Sequence, residues 1–163
     1  FVPTPLDVVE RMLTLAKVGD GVFIPQEVDW SRVFREELVL LKDPIAQRLL
    51  TVELIEEGRC RIKLHPVLAQ LLVSNLLGNA VQHNVPDGSL SVVITQESIT
   101  VRNTGPVLSA DPASLFDRFA KGDPSSTSPG LGLSMVKEIA ERNGLRVEYM
   151  AANGMHAIIV RKG

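Results

Sequence analysis

Helical stretches interleaved with three pairs of alternating apolar runs predict an α/β two-layer sandwich. Its sheet is expected to be mixed but mostly antiparallel, with helices on one face. Composition agrees with such a core: 45% of the 163 residues are apolar and 22% are charged. That balance excludes a disordered chain and a disulfide-stapled scaffold, and the length suits one ordinary domain. No internal repeat is visible.

The elements follow in order. Pro3 and Pro5 precede residues 6–18, where Val8, Val9, Met12, Leu13, Leu15 and Ala16 recur at helical spacing until Gly19 and Gly21 end the run. The outward face of this first helix is unusually apolar, which predicts a packing partner. Residues 22–30 read as extended. Ser31 is the expected N-cap of a second helix whose stripe is Val33, Phe34, Leu38 and Leu41, and a turn is expected over 42–44. Two alternating runs, 49–54 and 59–64, flank Glu56-Glu57-Gly58 and predict a hairpin. Pro66 suits a first helical position, because its missing N–H costs nothing there, and the helical pattern then lasts to His83. Residues 90–95 and 98–102 predict a second hairpin. A Gly, Pro and Ser-rich stretch covers 104–132, interrupted by apolar residues over 115–119. Residues 133–143 predict a helix closed by Gly144, and 146–150 with 156–161 predict a last hairpin across Asn153-Gly154.

Charge and cysteine usage narrow the function classes. Seventeen Lys and Arg against 19 Asp and Glu leave a net charge of −2, with the cations scattered singly, so nucleic acid is not an expected partner. Cys60 is the single cysteine, which rules out an intramolecular disulfide and a multi-cysteine metal site and fits a reducing compartment. No apolar run approaches the roughly 20 residues of a membrane span, and no basic-then-apolar signal opens the sequence. Because the sequence begins on Phe1, the expectation is a piece of something longer.

Three segments carry chemistry. In LHPVLAQLLVSNLLGNAVQHN, residues 64–84, Asn75 and Asn79 lie about 40° apart on a helical wheel, with Gln82 and His83 beside them. Val73, Leu76, Leu77 and Ala80 occupy the opposite face. Two asparagines one turn apart cost helix stability relative to Leu or Ala. They read either as a solvated or structurally satisfied face, or as neutral amide oxygens for a hard cation such as Mg²⁺. The segment ITVRNTGP, residues 99–106, ends a strand on Asn103-Thr104-Gly105, which suits an ordinary strand exit or the edge of a flat heterocycle. SPGLGLS, residues 128–134, opens into a helix whose first N–H groups form a ready phosphate site.

These segments together resemble the catalytic and ATP-binding domain of bacterial two-component sensor histidine kinases, within the group that shares the Bergerat ATP-binding fold. NLLGNAVQHN (75–84) resembles the asparagine box, VRNTGP (101–106) the first glycine box, LFDRFAKGD (115–123) the phenylalanine box, and SPGLGLSMVKEIAERNG (128–144) the second glycine box. The likeness spans about residues 28–162. It divides the chain into 1–21, the end of a dimerization helix with its linker, and 22–163, the ATP-binding domain.

The resemblance implies ATP and Mg²⁺ as cofactors. It makes Asn79 the Mg²⁺ ligand, supported by Asn75, with Gln82 and His83 beside the nucleotide and Asn103 reading adenine. Gly105 allows the base to approach, Phe116 and Phe119 anchor a lid over 120–129, and Gly130, Leu131, Gly132 and Leu133 surround the phosphates. The family usually has Asp at position 103 and often a cation at position 82, so weaker nucleotide binding is expected. Asn75 stands where hydrolysing members of the group carry a glutamate, and an amide is no general base near neutral pH. Phosphoryl transfer to an imidazole is therefore favoured over hydrolysis. None of His65, His83 and His156 has the helical context of an acceptor, which places the phosphorylated histidine on a separate dimerization domain. The implied partners are that domain and a response regulator. The implied setting is cytoplasmic, within a parent homodimer whose membrane attachment stays open. Two alternatives stand beside this reading. One is a degenerate nucleotide-sensing or partner-docking module; the other is the start of a class I methyltransferase, for which residues 22–30 supply no acidic glycine-rich loop.

Overall fold

The computed structural model describes residues 24–106 and 132–163. The expected helix over 6–18, the division after residue 21, the lid, and Phe116, Phe119, Gly130 and Leu131 lie outside the described residues.

Helix α1 (Trp30–Leu40) is followed by a short α2 (Lys42–Gln47), strand β1 (Thr51–Glu56) and the long α3 (Pro66–Gln82). Strands β2 (Ser89–Ile94) and β3 (Ser98–Thr104), helix α4 (Gly132–Arg142), and strands β4 (Leu145–Ala152) and β5 (Met155–Lys162) complete the described chain. The five strands form one sheet in the order β1-β2-β3-β5-β4, parallel only between β1 and β2. A mixed, mostly antiparallel sheet was expected, and this is its form.

Burial along β2 and β3 alternates, as in a sheet with one covered face. Leu90, Val92, Ile94, Ile99 and Val101 meet the apolar side of α3, where Leu68, Leu72, Val73, Leu76, Leu77 and Ala80 are almost entirely buried. Helix α1 packs on α3 through Trp30 and Phe34, and α4 packs on α3 and β4 through Val136 and Ile139.

The long helix begins as expected. Pro66 occupies the first turn and His65 caps it, its Nδ1 accepting from Val67 N at 3.1 Å. The β2–β3 and β4–β5 hairpins also form. Asn153 (φ 52°) and Gly154 (φ 78°) turn the second of these with the paired positive φ values of a type I′ connection. Gly144, at φ 70°, closes α4.

Three expectations need correction. The hairpin of 49–54 with 59–64 does not exist: β1 pairs in parallel with β2, Thr51 opposite Ser89 through Glu56 opposite Ile94. A parallel pair needs a long crossover, and α3 supplies it. Beyond β1 the backbone follows the β2–β3 turn instead, Glu57 N donating to Ile94 O at 2.8 Å and Arg61 N to Gln96 O at 2.8 Å. The alternation over 59–64 is real, but it inserts Cys60, Ile62 and Leu64 into the core, where Trp30 Nε1 donates to Ile62 O at 3.0 Å. Only Leu64 of this run forms a bridge, with Gln26. Second, α1 is capped by Asp29, which accepts from Arg32 N at 3.2 Å; Ser31 lies inside the helix and is buried. Third, the expected turn over 42–44 is the start of α2, with Pro44 in the first turn where an N–H has no helical partner.

Candidate functional site

Helix α3 spans 17 residues without one charged side chain. Its buried face is apolar, and its other face carries Asn75, Asn79 and Gln82, the first two half-buried and Gln82 exposed. The two asparagines differ. Asn75 Nδ2 donates to Leu71 O at 2.8 Å, one turn back, which leaves its Oδ1 as the outward atom. A β-carbon on Gly132 would meet that Oδ1 at 3.4 Å, so the start of α4 lies against the amide face of α3. Asn79 makes no side-chain hydrogen bond to any described residue, and its carboxamide oxygen is available to a ligand. Leu133 is 8% exposed, so its side chain belongs to the core and only its backbone is on offer to a phosphate.

A second cluster gathers at the end of β3. Asn103 is 4% exposed, and its Nδ2 donates to Thr104 O at 2.8 Å. That bond fixes the amide orientation and leaves Oδ1 as an acceptor without a partner among the described residues. Gly105 follows with no room for a side chain. A β-carbon there would lie 3.0 Å from His156 Cδ2 and Nε2 and 3.1 Å from His83 O. The C-terminus of α3, the end of β3 and the start of β5 thus converge on this glycine. The structure brings Asn75 to Gly132 and the His83 carbonyl to Gly105, two residues after Asn103.

Two supports were not read from the sequence. Asn84, 7% exposed, donates through Nδ2 to Ala80 O (3.2 Å) and Ser89 O (2.9 Å) and accepts through Oδ1 from Val85 N (2.8 Å) and the Thr104 hydroxyl. Thr104 Oγ1 in turn accepts from Ser89 N at 2.9 Å. This knot ties the end of α3 to the beginning of β2 and the end of β3. Gly88 sits inside it, where a β-carbon would overlap Asn84 Oδ1 and Thr104 Oγ1. The Pro86-Asp87-Gly88 turn between helix and strand was the available signal.

The other support is His156, 5% exposed, whose Nε2 is 2.7 Å from Pro106 O and whose Nδ1 is 2.8 Å from Tyr149 Oη. A carbonyl only accepts, so Nε2 carries the proton, and in the neutral ring the Tyr149 hydroxyl donates to Nδ1. Burial pushes the Tyr149 hydroxyl up to about 12, which keeps it protonated in that role. Nothing in the spacing of a strand histidine and a strand tyrosine announces this pair; the antiparallel register of β4 with β5 creates it.

The donor set suits Mg²⁺ carried on a nucleotide. Among the described residues no His, Cys, Asp or Glu cluster could hold a metal by itself, and α3 offers a neutral amide oxygen. Mg²⁺ keeps several waters and takes other oxygens from phosphates, and a neutral amide oxygen complements such a set.

Residues 65–161 match the family described as the histidine kinase-, DNA gyrase B- and HSP90-like ATPases. The chain belongs to that family. Within it, the chain is 29% identical over 159 residues to the sensor protein QseC of Salmonella typhi, covering 94% of this chain and 35% of that protein. It is 36% identical over 146 residues to QseC of Escherichia coli K12, covering 86% and 32%. The chain therefore spans about a third of the length of these curated relatives. Among solved structures, the cytoplasmic segment of histidine kinase QseC aligns over 100% of this chain and 97% of that one, with a TM-score of 0.71 and 24% identity. The histidine kinase ThkA in complex with the response regulator TrrA aligns over 95% and 46%, with a TM-score of 0.71 and 18% identity. These likenesses establish the fold, which is the one those histidine kinase structures share.

Proposed function

We infer that the chain binds Mg-ATP and, within a longer sensor histidine kinase, donates the γ-phosphate to a histidine on a separate dimerization domain. The observation that carries this reading is the meeting of two sequence-distant motifs: the amide face of α3 lies against Gly132 at the start of α4, with Asn75 Oδ1 turned outward between them. Neutral oxygens from one helix and the first N–H groups of the next then face one polyanion.

Each residue has a part in the proposal. Asn79 holds the metal through its carboxamide oxygen, and Asn75 accepts from a water or ligand donor beside Gly132. Mg²⁺, when bound, supplies charge neutralisation at the phosphates. Asn103 Oδ1 accepts from the adenine amino group while Nδ2 stays on Thr104 O, and Gly105 lets the base approach. Gln82 and His83 border the nucleotide, Phe116 and Phe119 anchor the lid, and Gly130, Leu131, Gly132 and Leu133 present backbone to phosphate. No carboxylate on α3 activates water, so the acceptor is an imidazole nucleophile brought by the dimerization domain. A response regulator is the onward partner, by analogy with the ThkA complex. Among the described residues no helix is long and apolar enough to cross a membrane, and a cytoplasmic position in the parent protein follows from this reading.

Calorimetric titration with a non-hydrolysable ATP analogue tests the binding step. Magnesium-dependent binding that Asn79→Ala abolishes is expected; a well-folded chain that binds no nucleotide would refute the proposal. Transfer is tested by adding a dimerization domain with its histidine and measuring acid-labile phosphate on it. The same assay on this chain alone is expected to give none.

A further inference from the structure

The extended run 59–64 has two sides. Cys60, Ile62 and Leu64 are buried, and Arg59, Arg61 and Lys63 are exposed on the other side. Side chains two residues apart on extended backbone share a face at about 6.5–7 Å, so the three cations form a row. In the sequence Cys60 and Ile62 separate them, and they read as scattered charges. Lys162, the last residue of β5, adds a fourth, and all four line one cavity of about 410 Å³ together with Gln96 and Glu27.

Among the described residues of that lining Glu27 is the single carboxylate. Its Oε2 is 3.9 Å from Arg59 Nη2, with both side chains about four-fifths exposed, so it neutralises one cation weakly. Arg61, Lys63 and Lys162 have no ion-pair partner among the described residues. Four cations and one carboxylate leave a local excess of three positive charges in a chain whose net charge is −2. The cavity is also far from the candidate nucleotide site. Gln96 lies in the β2–β3 turn and Lys162 ends β5, whereas Asn103 pairs with His156 near the beginning of β5. The rise along β3 separates the two ends of the sheet by about 20 Å.

We propose that this cavity is a second anion site, taking a small ligand with several phosphate charges. Its volume lies in the range of small-molecule pockets. Arginine forks and lysine heads are the groups that hold phosphate oxygens. Among the described residues of the lining there is no aromatic side chain on which a base would stack, and recognition is by charge and not by a ring.

The probe is inorganic pyrophosphate, titrated calorimetrically into the whole chain at low salt without Mg²⁺. Saturable one-to-one binding is expected, weakened at least tenfold by the double variant Arg61→Glu, Lys63→Glu, and undisturbed by a saturating Mg-bound ATP analogue. Both replaced side chains are exposed, and unchanged Trp30 fluorescence would certify the fold. Absence of saturable binding, binding retained by the double variant, or displacement by the ATP analogue would overturn the proposal. Binding of poly-glutamate without binding of pyrophosphate would also overturn it, in favour of a surface for an acidic protein.

Discussion

Asn103 shows how one hydrogen bond changes the meaning of a substitution. On the residue type alone, aspartate would strengthen a bond from an adenine amino group through its charge. In this chain Nδ2 donates to Thr104 O within a site 4% exposed, and a carboxylate would set two acceptors against each other there. Asn103→Asp is expected to lower unfolding stability by about 1–3 kcal/mol in urea titration without tightening ATP-analogue binding. A more stable protein, or one that binds the analogue at least tenfold tighter, would contradict this account. Gly88 makes a harsher case. Its missing side chain leaves room for the Asn84 and Thr104 polar atoms, and Gly88→Ala forces both hydrogen-bonding groups apart. A loss of about 2–4 kcal/mol is expected, measured by the same titration.

At the scale of the element, the proposed reading of α3 separates stability from function by face. Asn79 makes no side-chain hydrogen bond to described residues, and alanine is the better helix former by about 0.5 kcal/mol. Asn79→Ala is therefore expected to leave stability unchanged or raise it slightly while abolishing magnesium-dependent nucleotide binding. Leu76→Ala on the opposite face should do the reverse, costing about 2–5 kcal/mol because Leu76 is fully buried. Thermal denaturation and calorimetry on the two variants would show whether the faces divide in this way. Much of the helix was legible in the sequence, because a 3.6-residue period and Pro66 at its start act locally. The two later hairpins were legible for the same reason, since Asn153-Gly154 sets its own turn. The false hairpin of 49–54 with 59–64 shows the limit of such reasoning. Period-two alternation reports that one side of a run is buried, and it does not name the partner. β1 found β2 across the whole length of α3, a pairing that depends on tertiary packing. Candidate site residues were legible as motifs, whereas Asn84, Thr104, Tyr149 and His156 work through contacts between elements and left no spacing to read.

For the whole molecule, the Tyr149–His156 pair joins the β4–β5 hairpin to the turn at Gly105 and Pro106, so its protonation bears on global stability. The Tyr149 hydroxyl is pushed up from 10.0 to about 12 by burial. Below pH 10 both folded and unfolded chains keep this proton, and the residue contributes no pH dependence. Between pH 10 and about 12 the unfolded chain releases it and the folded chain retains it, so stability falls as pH rises. Above that window both states are ionised and the loss is complete. Allowing for solvent screening of a partly buried ring, the fall is of order 1–2 kcal/mol. Tyr149→Phe removes this component of the alkaline slope, and it costs about 1 kcal/mol at neutral pH because His156 Nδ1 loses its donor. Tyr149 is the single tyrosine in the chain, so tyrosinate absorbance follows it without interference. A midpoint near 10 in the folded protein, or an alkaline stability slope identical in the phenylalanine variant, would show that burial does not hold the Tyr149 proton.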